Sequence, residues 1–129
     1  VGALLANIRY RLEPRIQACG IELQWDVEEL APIARLDVSA MGHLQFMVYE
    51  AFSNVLQHAQ ATRLRVAANP ISGRAGSLHL QIIDNGTGYD TASPPRNGLQ
   101  SLQQRAQTIG VTLRLTSEPG LTVVEITVD

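Results

Sequence analysis

The sequence predicts a two-layer α/β sandwich, a mixed sheet of about five strands with three helices on one face. Three observations lead there. Apolar residues recur at helical spacing in some segments, as at Leu5, Ile8, Leu12 and Ile16. They alternate with polar residues in others, as Ile21, Leu23 and Trp25 do with Glu22, Gln24 and Asp26. In the second half the alternating segments are joined by turn-rich stretches, which makes them antiparallel neighbours. The 129 residues suit one domain with a substantial core, and 45% hydrophobic against 17% charged residues is the balance of a folded chain, not a disordered one.

Residues 3–18 read as the first helix. Pro14 interrupts the pattern and predicts a kink or a break near Glu13. Gly20 is a stop signal, and a half-buried strand begins at Ile21. Residues 27–38 carry Pro32 and no period, and read as a loop. Ser39 is expected to cap a second helix over 40–59, with Leu44, Met47, Val48, Ala51, Val55 and Leu56 on its core face. Arg63–Ala67 and Leu78–Ile83 read as strands, and the turn-rich residues 69–76 between them predict a hairpin. Residues 85–97 hold Gly86, Gly88, Pro94 and Pro95 without periodicity; long loops of this kind in compact domains are often functional. Leu99, Leu102, Ala106 and Ile109 predict a short third helix ending at Gly110. Val111–Leu115 and Val123–Val128 predict two closing strands around the turn at Pro119-Gly120.

Composition excludes several functions. A net charge of −2 gives no electrostatic case for nucleic acid or an acidic membrane. All ten basic residues are Arg, which excludes both a P-loop and Lys Schiff-base chemistry. Cys19 is alone, so no intramolecular disulfide forms. No zinc-peptidase His pair or Gly-x-Ser-x-Gly elbow is present. His43 and His79 are expected on the surface or on a sheet face. The chain begins at Val1 and is read as a piece of a longer protein.

Two constellations carry chemistry. Glu50, Asn54 and His58 stand one helical turn apart and stack on one face of the second helix. Such a column is often just the solvated stripe of an amphipathic helix. It also suits a hydrated cation: an Asn oxygen is a hard ligand for Mg²⁺, which needs only one or two protein ligands when phosphates supply the rest, and a Glu one turn away can orient or deprotonate a water. The second constellation is Asp84-Asn85-Gly86-Thr87-Gly88. Asn-Gly after an alternating strand signals a hairpin, but a Pro-rich loop follows here instead of a strand. The other reading is an acceptor Asp at a strand end, with glycines that let the backbone close on a ligand. Asn97-Gly98-Leu99 opens the third helix, whose N-terminal amides can meet an anion.

Glu50-xxx-Asn54-xxx-His58-Ala59 resembles the N box of the GHKL ATP-binding superfamily. Asp84-x-Gly86-x-Gly88 resembles its first glycine box, and Gly98-Leu99 followed by Arg105-Ala106 its second. Over nearly the whole chain the likeness is to the catalytic ATP-binding domain of sensor histidine kinases of the nitrate-sensor type. The resemblance implies a Bergerat-type sandwich that binds ATP and Mg²⁺ and donates the γ-phosphate to a histidine on a separate dimerisation and phosphoacceptor domain. It implies a response regulator as the next partner, and a cytoplasmic domain within a parent that can be dimeric and membrane-bound.

Roles follow by resemblance at the matching positions. Asn54 would ligate Mg²⁺, Glu50 would act as catalytic residue by polarising a nearby water, and His58 would lie toward the phosphates. Asp84 would accept the adenine 6-amino group, with Thr122 close to the base. Gly86 and Gly88 would let the lid hinge, and Asn97, Gly98 and Leu99 would meet phosphate. The pattern departs in places: Arg96 and Leu121 stand at usual glycine positions, and Gly110-Val111 replaces a Gly-Gly. Fewer glycines mean a stiffer lid and less room for backbone approach; alternatively Arg96 supplies a phosphate contact. The rival readings are a degenerate nucleotide-binding module without turnover, and an ATPase or serine-kinase relative.

Overall fold

Two helices end in the same way, and their ends set the frame. In the computed structural model α1 covers Gly2–Ala18 and α3 covers Asn97–Ile109. After α1, Gly20 takes φ +74° and the Ile21 amide reaches the Ile16 carbonyl at 3.1 Å. After α3, Gly110 takes φ +70° and the Val111 amide reaches the Ala106 carbonyl at 3.0 Å. Each is a glycine-dependent left-handed cap followed by a buried apolar residue, and each turns the chain directly into a strand. The structure describes residues 2–28, 33, 36–58, 61–71, 76–86, 97–118 and 120–128, with the backbone alone at 2, 57–58, 97–100 and 117.

The remaining elements are β1 (Glu22–Val27), α2 (Val38–His58), β2 (Arg63–Asn69), β3 (Leu78–Asp84), β4 (Thr112–Glu118) and β5 (Leu121–Val128). The sheet order is β1-β2-β3-β5-β4. β1 and β2 are parallel, joined by the α2 crossover; every other pair is antiparallel. This is the expected mixed sheet of five strands. Alternation puts Leu64, Val66, Leu80, Ile82, Val124 and Ile126 on a face that all three helices cover, burying Leu5, Ile8, Phe52 and Leu102 against it. The opposite face carries Arg65, His79, Gln81 and Glu125.

Four expectations are corrected. No break occurs at Pro14: α1 runs through it. Leu5, Ile8, Leu12 and Ile16 are all buried on both sides of the proline, at about 1.5–3 kcal/mol each, which outweighs the roughly 3 kcal/mol cost of a helical proline. Ser39 is not the cap of α2. Asp37 is, its Oδ1 accepting the Ala40 amide at 2.8 Å. The residues described within 27–38 are strand end, cap and helix start as well as loop. β4 and β5 are also longer than expected, so Thr122 belongs to a strand.

Strand directions fix which ends meet. α2 ends at the start of β2, and β3 ends there too, since Leu64 pairs with Asp84. β5 starts there, with Thr122 opposite Asp84. α3 finishes at the far end, where Thr112 pairs with Thr127. Hence α2 runs toward the Asp84 end, α3 runs away from it, and the two helices pack antiparallel.

Candidate functional site

Asp84 is the last residue of β3, in a buried, helix-facing position. Only 5% of it is exposed. Its Oδ1 accepts the Gly86 amide at 2.9 Å, closing a small turn. Burial pushes the carboxyl above its usual range, and the Gly86 hydrogen bond offsets part of that rise. Thr122, 1% exposed, is the residue directly opposite on β5. Directly paired residues of an antiparallel ladder share a face, so the carboxylate and the hydroxyl stand side by side under the helices.

The sequence reading missed Asn85. Its Oδ1 accepts the amides of Thr62 and Arg63, both at 2.9 Å, and its Nδ2 donates to Thr62 Oγ1 at 2.9 Å. The Asn-Gly pair that resembles a hairpin turn instead staples the end of β3 to the start of β2. The Gly86 carbonyl accepts the Gly120 amide at 3.0 Å. Gly86 is therefore held on both its amide and its carbonyl side.

Glu50 and Asn54 lie one turn apart on the half of α2 that approaches this end. Asn54 is 9% exposed and Glu50 half-buried. Among the described residues neither side chain is held by a hydrogen bond or ion pair. Asn97, Gly98 and Leu99 form the first turn of α3, so its free amides open at the same end. The fold thus gathers Glu50, Asn54, Asp84, Gly86, Thr122 and the α3 N-terminus at one end of the sheet. The His58 side chain, Gly88 and Arg96 lie outside what is described.

A cavity of about 250 Å³ opens at the same sheet end, among Arg63, Arg65, Ile83, Asp84, Asn85 and Leu121. Leu121 is 41% exposed there. It alternates with Thr122 and so projects to the opposite face of the sheet.

His43 and His79 are engaged. His43 Nδ1 meets Arg105 Nη1 at 2.9 Å between α2 and α3, so His43 is a helix-interface residue as well as a partly exposed one. His79 lies on the uncovered sheet face, as expected, 3.2 Å from Glu125 Oε2. Burial raises the Glu125 carboxyl, but His79, Gln81 and Arg114 outweigh it and hold the group below its usual range.

Residues 22–129 match the histidine kinase-like ATPase domain family. The chain belongs to that family. Its relatives are sensor kinases. It is 32% identical over 102 residues to the sensor histidine kinase LiaS of Bacillus subtilis, covering 78% of this chain and 26% of LiaS. It is 30% identical over 91 residues to the nitrate/nitrite sensor protein NarQ of Escherichia coli, covering 69% of this chain and 16% of NarQ. The chain thus spans about a quarter or less of the length of these relatives. Among solved structures, the histidine kinase domain of the Erythrobacter litoralis EL346 blue-light-activated kinase superposes with a TM-score of 0.77 at 20% identity, over 97% of this chain and 60% of that one. This histidine kinase-like ATPase domain therefore has the expected sandwich fold. Among its described residues no helix is long and apolar enough to cross a membrane.

Proposed function

We propose that this chain is the catalytic domain of a sensor histidine kinase, binding ATP with Mg²⁺ at the Asp84 end and donating the γ-phosphate to a histidine on a separate dimerisation and phosphoacceptor domain. A response regulator then takes the phosphoryl group. The domain works on the cytoplasmic side of its parent. The observation that carries the reading is the pairing of Asp84 with Thr122 at the end where α2 brings Asn54 and α3 opens its amides, within a chain of this family.

Each residue has a task in that reading. Asp84 is acceptor-only when ionised, which matches the adenine amino group and disfavours a carbonyl at the same place. Its carboxylate is fixed by the Gly86 amide, and Thr122 stands beside it. The Asn54 oxygen suits a hard cation, because Mg²⁺ needs only one or two protein ligands when phosphate oxygens complete the shell, and the Glu50 carboxylate one turn away suits a water on that ion. Bound Mg²⁺ would supply charge neutralisation on the phosphates. Glu50 orients the polar groups around that cation, and the amides of Asn97, Gly98 and Leu99 receive phosphate oxygens. Gly86 marks the fixed end of the lid, and Gly88 lies beyond it in sequence.

The orientation of Leu121 speaks against the degenerate-module reading, because its side chain projects to the sheet face opposite that of Thr122. Calorimetry with a non-hydrolysable ATP analogue, with and without Mg²⁺, tests binding. Transfer from γ-labelled ATP to a supplied helical-hairpin acceptor then tests turnover. Binding without transfer would support the degenerate module, and transfer to serine or water would support the other relatives.

A further inference from the structure

Arg105, half-buried on α3, makes its contacts with α2. It sits on the face of α3 that meets α2, with its guanidinium carbon 3.7 Å from the centroid of the Phe46 ring. Its Nη1 donates to His43 Nδ1 at 2.9 Å, so that nitrogen of His43 carries no proton. Its Nε is buried with no hydrogen-bond partner. Among the described residues no carboxylate pairs with it. A half-buried guanidinium whose Nε is left without a partner, with both contacts on one neighbouring helix, is a costly device for holding two helices together. Leu102 and Ala106 already bury α3 against the core.

Apolar packing is non-directional and lets a helix slide along its groove; a stacked guanidinium with an aligned hydrogen bond does not. The two helices are antiparallel. Roughly two turns separate Arg105 from Gly98 on α3, and the same rise separates His43 from Glu50 on α2. Fixing Arg105 on His43 therefore sets the first turn of α3 level with Glu50.

We propose that Arg105 is a positioning residue: anchored on His43 and Phe46, it sets where the amides of Asn97–Leu99 stand beside Glu50 and Asn54, and so governs how a nucleotide's phosphates are held. This rests on the nucleotide reading of the site. The base end, at Asp84, is held by strand pairing and by Asn85 and does not depend on Arg105. The residue should thus matter for phosphates and not for adenine.

The test compares adenosine, ADP and ATP·Mg²⁺ on the unaltered chain and on Arg105→Met, His43→Leu and His43→Gln, by NMR titration and calorimetry. Arg105→Met and His43→Leu are expected to weaken ADP and ATP about tenfold while adenosine stays within about twofold. His43→Gln keeps an acceptor for the guanidinium and is expected to restore most of the loss. If Arg105→Met does not fold, the two His43 variants decide. Equal losses for adenosine and ATP, or ATP binding untouched in folded Arg105→Met and His43→Leu, overturn the proposal alone. Absence of nucleotide binding by the unaltered chain overturns the reading of the site, and the proposal with it.

Discussion

The carbonyl oxygen of Gly86 accepts the amide of Gly120 at 3.0 Å, joining the turn that follows β3 to the turn that precedes β5. The ladder already pairs Asp84 with Thr122 one step inside that closure. The Asp84 end of the site is therefore bolted across two strands.

Asp84→Asn should separate binding from stability. The amide can still accept from the Gly86 N–H, so the turn closes, but it presents donors where adenine requires an acceptor. Losing one hydrogen bond to a charged group is worth about 1.5–3 kcal/mol, or roughly tenfold or more in affinity. Thermal melting should show a fold at least as stable near neutral pH, because a buried charge has been removed. Unchanged affinity for adenine nucleotides in a folded variant would take the base contact away from Asp84.

The pH dependence of stability has a defined sign at Asp84. Burial raises its folded-state pKa above the unfolded value, so the folded chain holds the proton more tightly. That contribution is complete below the unfolded carboxylate pKa and is lost as pH rises through the raised one. Glu125 behaves oppositely: its lowered pKa contributes stability above the usual Glu range, lost as pH falls through the folded value. Urea unfolding from acid to neutral pH should therefore show Asp84→Asn gaining on the unaltered chain as pH rises, and Glu125→Gln losing. The same sign for both variants would contradict these assignments.

Asn85→Ala removes three side-chain hydrogen bonds from an exposed staple. A loss of about 1–2 kcal/mol is expected, below the sum of three buried bonds because water replaces part of it. Chemical denaturation measures it. A loss under a few tenths would mean that strand pairing alone holds the β2–β3 end.

This chain alone should not become phosphorylated on histidine. None of His43, His58 and His79 is followed by Asp or Glu. In space His79 does have an acidic neighbour, Glu125, but both stand on the sheet face away from the helices and from Asp84. His43 is occupied by Arg105. Incubation with γ-labelled ATP and Mg²⁺ checks this. Acid-labile label on the chain by itself would refute it, and label appearing only when an upstream helical hairpin is added would support it.

The order of elements and the face of α2 were legible because both rest on periodicity within a short window. Asp84 was legible because a strand-ending acid followed by spaced glycines is a local pattern. Asp37 was missed in favour of Ser39 since both are good caps, and only the register of the following helix chooses between them. The contacts of Asn85 and Arg105 left no local trace, although Arg105-Ala106 is itself part of the motif resemblance. Their partners, Thr62 and His43, lie far off in sequence, and contacts of that kind are made by topology. The direction of the Leu121 side chain was not legible for a related reason. A residue count names the departure from glycine, whereas the strand's alternation decides which side of the sheet the extra carbons occupy.

The opposed running directions of the helices have an electrostatic consequence. α1 and α2 both bring their C-terminal carbonyl ends to the Asp84 end of the sheet, and only α3 brings its amide end. With about half an elementary charge at each terminus, the backbone there sums to a negative field of roughly half a charge, before Asp84 and Glu50 are added. Among the described residues the arginines at that end, Arg63 and Arg65, stand on the opposite face of the sheet. A triphosphate approaching this end is repelled by more of the peptide backbone than attracts it. In the proposed reading, a divalent cation arriving with the phosphates would offset that repulsion as well as serve the chemistry.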